Sequence, residues 1–243
     1  MTTDNDQSSD PTATIGPDQA REAVRILIEA FDNLTNAGAV RVQAGSAELF
    51  RSVFGWWAWI NNSAKLVLLA HDNGRGHEAA PSVRSILEHA VVMQWVIDDP
   101  DAATEAVAAK ADEDRRKLLD EIQALKWTMP ADVTRPDRTM QTMLDFASLC
   151  TRYGAKAFYA PYRMLSAHVH PSAKGAEAYL DPDTLQLRNY ADRPAGPDLV
   201  LITICLIQSA QVIDAFLADQ PLATAIAETN ALFGHSINPI KRP

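Results

Sequence analysis

The stretch YAPYRMLSAHVHPSAKG, residues 159–175, concentrates side chains able to do chemistry in a chain otherwise rich in alanine, leucine and valine. On a helix each residue advances by about 100°, so Tyr162, Ser166 and His170, spaced by four, lie along one stripe with Arg163 at its edge. His168 points away from His170, towards the side of Met164. A histidine can exchange protons near neutrality, and an arginine can grip anionic oxygens with a planar fork.

A second polar feature lies upstream. In SVRSILEHAVVMQWVI almost every residue is apolar, which predicts a buried helix, yet Arg84 and Glu88 stand one turn apart on one face. A buried ion pair is costly unless its remaining hydrogen bonds are met. The stripe of Tyr162, Ser166 and His170 is the candidate partner, and two such helices packed together would form a polar slot in an apolar bundle.

The pairing of Arg-x-x-x-Glu, here Arg84 and Glu88, with Tyr-x-x-x-Ser-x-x-x-His-Pro-Ser, here Tyr162, Ser166, His170, Pro171 and Ser172, resembles a bacterial helical family called domain of unknown function 5677. The likeness spans roughly residues 47–215. A more distant resemblance is to the HEPN superfamily, helical bundles that include metal-independent RNA-cleaving toxins and defence proteins. Its mark is an arginine followed four to six residues later by histidine, a spacing met by Arg84 with His89 and by Arg163 with His168 or His170. Ser85 and Met164 stand after those arginines, where HEPN nucleases favour a more polar residue.

The HEPN resemblance implies action on RNA or a nucleotide, with no cofactor. Cleavage without a metal requires deprotonating a 2′-hydroxyl, stabilising charge on phosphate and protonating the leaving oxygen. His170 is then the expected acid or base and Arg163 or Arg84 the phosphate clamp. Tyr162 and Ser166 orient the ligand, with Glu88 fixing Arg84 or His170. A homodimer is a further expectation, since such folds often build the site between two copies, as is an antitoxin or regulatory partner.

Other readings stay open. Arg84 and Glu88 also fit a structural salt bridge, alone or networked with Tyr162, and His170 fits a hydrogen-bonding residue at a helix end. A noncatalytic module holding a small anionic ligand is therefore the main alternative. A metal hydrolase ranks third: the side chains of HVH diverge on a helix, and no third ligand is evident. The glycines of HDNGRGHE lack the strand and the Lys-Ser/Thr of a phosphate loop and predict a flexible helix cap. In WWAW, residues 56–59, the tryptophans are expected to supply core and interface mass.

The formal charge of −9 argues against broad nucleic-acid binding. Charge is uneven, however. Arg135, Arg138, Arg152, Lys156, Arg163 and Lys174 face only Asp137 and Asp145 across residues 135–174, so the one locally basic region holds the unusual stretch. Cys150 and Cys205 sit in apolar runs, which predicts free thiols and a reducing cytoplasm. The polar, acidic N-terminus has no apolar core and does not read as a secretory signal. The run 199–213, LVLITICLIQSAQVI, is shorter than a membrane span and reads as a core helix, with no membrane partner expected.

The elements that must position these residues are helical. Apolar periodicity near 3.6 dominates and strand alternation is almost absent. Helices are expected at about residues 18–36, 47–70, 78–97, 102–127, 139–153, 160–170, 197–218 and 221–233. Residues 177–190 read as a small hairpin or irregular excursion turning at DPDT. The expectation is an all-α protein, a single helical bundle of about six to eight helices. Its domain spans residues 18–236, between a disordered acidic tail at 1–17 and a short basic tail at 237–243.

Overall fold

The structure is a computed structural model that describes residues 15–128, 134–136, 145–172, 175, 177–181 and 183–242. It is an all-α bundle with no sheet among the described residues. In chain order the helices are α1 (Pro17–Asn36), α2 (Ala47–Asp72), α3 (Ala80–Asp98), α4 (Pro100–Ala124), α5 (Phe146–Arg152), α6 (Lys156–Val169), α7 (Ala195–Asp214) and α8 (Ala223–Phe233).

Helix α1 is amphipathic because Ala20, Val24, Leu27, Ile28 and Phe31 recur on one face, and all are buried. It opens at Gly16, whose N–H is met by the Gln19 side chain at 3.0 Å, and Pro17 occupies a position where no amide hydrogen is needed. Helices α3 and α7 lie at the centre. Ile86, Leu87, Val91 and Met93 of α3 and Leu199, Ile202, Leu206 and Ile207 of α7 are almost wholly excluded from solvent. Helix α3 packs against α2, α6 and α7, so one hydrophobic core joins residues from α1 through α7.

Most helix boundaries shift by a few residues from expectation, and those of α5 and α6 bear on the site. The start expected near residue 139 lies outside the described residues, and α5 begins at Phe146, where Asp145 caps the helix by accepting from the Ser148 amide at 2.8 Å. Helix α6 begins at Lys156 rather than Ala160 and carries Pro161 within it. Phe158 is buried and Tyr159 packs on the core, contacts that offset the hydrogen bond Pro161 cannot make.

The excursion is a minimal hairpin with an antiparallel bridge between Leu180 and Leu187. The Asp181 carboxylate accepts from the amides of Asp183 and Thr184 and pairs with Arg188. The turn's Pro182 lies outside the described residues, as do residues 1–14 of the expected tail. At the other end Ile240 packs on the core and Arg242 reaches Asp99 at 2.8 Å. The apolar run at 199–213 is part of a longer helix, α7, which by length and composition could cross a membrane, and 67% of its most apolar window is buried inside the bundle.

Candidate functional site

The end of α6 is set by a local sequence rule. Pro171 disfavours helical backbone at the preceding residue, and His170 accordingly turns to φ −96°, ψ 150°. Ser172 secures the exit by donating to the Ala167 carbonyl at 2.5 Å and accepting from the Gly175 amide at 3.0 Å. The His170 side chain is left exposed, at the edge where α6 packs on α3.

There it meets Arg84. The Arg84 guanidinium lies with Nη1 3.1 Å from His170 Nε2, and Nη2 donates to the Tyr162 hydroxyl at 2.7 Å and to Glu88 Oε1 at 3.4 Å. Because Arg84 can only donate, His170 Nε2 is the acceptor in this arrangement. The Arg84 Cζ also sits 4.6 Å from the centre of the Tyr162 ring. Burial pushes the Tyr162 phenol above its ordinary pKa; the nearby Glu88 acts in the same direction, and Arg84 opposes them.

The structure thus brings four expected site residues together: Arg84, Glu88, Tyr162 and His170. The polar slot is not sealed. The Arg84 side chain is 19% exposed and that of Glu88 38%, so the pair lies at a partly open edge of the bundle. Ser166 spends its hydroxyl proton on its own helix, donating to the Tyr162 carbonyl at 2.8 Å. Arg163 is exposed and joins none of these hydrogen bonds. His168 diverges from His170 and packs edge-on against His77, with ring centres 4.9 Å apart.

Two groupings had no clear signal in the sequence. Asp198, in the first turn of α7, takes two hydrogen bonds from Arg193 at 2.7 Å each and contacts His71 Nε2 at 3.1 Å. His71 belongs to the last turn of α2, so HDNGRGHE supplies a buried pin between helices as well as a turn. On α3, His89 Nδ1 lies 2.7 Å from the Ser85 carbonyl, Trp59 donates to the Ser85 hydroxyl at 3.1 Å, and the Trp59 and His89 rings stack. Trp57 fills the core as expected, whereas Trp59 is 53% exposed. Among the described residues no group of three or more His, Cys, Asp or Glu is placed to hold a metal ion.

Residues 50–186, more than half of the chain, match the model of a family of unknown function, DUF5677. That segment contains Arg84, Glu88, Tyr162 and His170, and it is shorter than the expected likeness over 47–215. No curated protein and no solved structure matches the chain.

Proposed function

The chain belongs to DUF5677, a family of unknown function, and we propose that it binds a phosphodiester of RNA or of a nucleotide at Arg84 and His170 and cleaves it without a metal. The observation that carries this reading is the 3.1 Å contact between the Arg84 guanidinium and the exposed imidazole of His170. Glu88 and Tyr162 hold the guanidinium from one side, which fixes its position before a ligand arrives. An entering phosphate competes for Arg84 Nη1 and frees His170 Nε2.

The freed nitrogen takes the 2′-hydroxyl proton, and the 2′-oxygen attacks phosphorus as the bond to the 5′-oxygen breaks. A 2′,3′-cyclic phosphate forms, and the 5′-oxygen leaves with a proton from solvent. Arg84 neutralises the charge that gathers on the non-bridging oxygens. Exposed Arg163, next to Tyr162 in sequence, supplies a further cation for the strand. This reading retains the distant HEPN likeness, a toxin or defence setting, a homodimer and an antitoxin or regulatory partner. The buried free thiols of Cys150 and Cys205 favour a reducing cytoplasm.

One observation favours the noncatalytic alternative: Arg84 already has three protein partners, as a structural clamp between α3 and α6 would. The two readings part on incubation of end-labelled RNA in excess chelator with wild type, His170→Ala and Arg84→Gln, each checked for folding by circular dichroism. Cleavage by wild type alone, leaving cyclic phosphate ends, supports the ribonuclease. If varied RNAs all survive the wild-type protein, the assignment passes to a binding or regulatory module.

A further inference from the structure

Glu88 is shared between the Arg84 cluster and a partly open cavity of about 350 Å³ lined by α2, α3, α4 and α5. Trp56, Val92, Val107, Phe146 and Leu149 make its walls apolar. The ring of Phe146 lies 4.4 Å from that of Tyr162, the residue whose hydroxyl receives Arg84. One aromatic pair therefore separates the cavity from the guanidinium.

The polar groups lining the cavity are Glu88 and His89, and both are acceptors. His89 Nδ1 sits 2.7 Å from the Ser85 carbonyl. A carbonyl only accepts, so Nδ1 carries a proton, and in the neutral imidazole Nε2 then keeps its lone pair. The Glu88 carboxylate meets Arg84 at 3.4 Å and lies beside the Tyr162 hydroxyl, and its two oxygens offer more lone pairs than those neighbours use. A ligand that fits must be flat, apolar on its faces and rich in donors along one edge.

We propose that this cavity is a base pocket that selects guanine and sets the substrate class of the adjoining phosphodiester site. The N1–H and exocyclic amino group of guanine present two neighbouring donors, which one carboxylate can accept together. Adenine and cytosine place an acceptor nitrogen beside their single amino group, and uracil flanks its one N–H with carbonyls, so each would set a lone pair against Glu88. A site built to accept hydrogen bonds rejects ligands lacking them more strongly than an apolar pocket does. The size of the cavity falls near the lower end for ligand sites and suits one ring system rather than a whole nucleotide. The placement of phosphate rests on the function proposed above; the choice of base does not.

Calorimetric titration of the full chain with GMP, IMP and AMP tests the pocket independently of cleavage. GMP should bind about ten-fold or more tighter than AMP, with IMP, which lacks only the exocyclic amino group, in between. Glu88→Gln should level the three, and Val107→Trp, which fills the cavity, should abolish the preference while the thermal transition is retained. Equal binding of all three nucleotides, no binding, or a GMP preference that survives Glu88→Gln would overturn the pocket. A guanine-containing oligoribonucleotide binding above GMP identifies the ligand as a base within a strand, and the reverse order identifies a free nucleotide. GMP preference without RNA cleavage keeps the pocket and removes the ribonuclease. Cleavage indifferent to base does the opposite.

Discussion

Arg84 of α3 and His170 at the end of α6 are 86 residues apart in sequence and meet at 3.1 Å. The contact joins a helix of the core to the residue at which the His-Pro step ends another. It places a cation and a proton acceptor side by side at a partly open edge.

Arg84→Gln removes the contact to His170 and loosens those to Tyr162 and Glu88. The expected loss is about 1–3 kcal/mol, read as a lower urea midpoint with an unchanged m-value. Arg84→Lys should recover less than half of it, because a single ammonium on a flexible stem cannot span Tyr162 and His170 as the fork does. A lysine variant as stable as wild type would show that charge alone, and not the fork, holds the two helices.

Asp198 should govern the acid limb of stability. Burial pushes its carboxyl pKa upward, but the hydrogen bonds and charges of Arg193 and His71 outweigh that and hold it below the ordinary value. A depressed folded-state pKa gives stability that is present above the unfolded value, about 4, and lost as pH falls through the folded one. Asp198→Asn should cost about 3 kcal/mol at neutral pH and flatten the acid limb in urea titrations carried downward from about pH 5. An unchanged limb would place the acid sensitivity elsewhere.

Gly76→Ala tests the same pin by steric means. A Cβ at Gly76 would stand 2.4 Å from Cε1 of His71, whose ring is buried and held on Asp198. The expected cost is about 1–3 kcal/mol. In a double-mutant cycle the changes at Gly76 and Asp198 should be non-additive, since both act through the His71 ring. Additive losses would separate the two.

Burial pushes the Cys150 thiol up to about 11 and that of Cys205 up to about 12. Both should resist maleimide near pH 8 in the native protein and react rapidly in denaturant. The folded state keeps these protons while the unfolded state releases them from about pH 8.5, so stability should fall as pH rises through about 9 to 11. Fast native labelling of either thiol would contradict its burial.

Most of the fold could be read from local pattern. The face of α1 follows from apolar spacing, the end of α6 from His170 before Pro171, and the excursion at 180–187 from Asp181 and its turn. The pairing of Arg84 with Tyr162 was legible too, because a charged residue in an apolar helix needs a partner. The start of α6 was not, since a proline within a helix is tolerated only where packing compensates, as Phe158 and Tyr159 do here. The roles of His71, Ser85 and His89 were also hidden, as each is fixed by a neighbour or an orientation that spacing leaves free.

Periodicity, capping and proline act over a few residues, so they were enough to show that the chain is helical, where most helices run and which residues are candidates for chemistry. Which of those residues meet was settled by packing between distant helices. It chose Arg84 over Arg163 as the neighbour of His170, linked Asp198 to His71 across 127 positions, and set Glu88 between a guanidinium and an apolar cavity. Contacts of that kind depend on how helices pack around a shared core, a property of the whole chain rather than of any one segment.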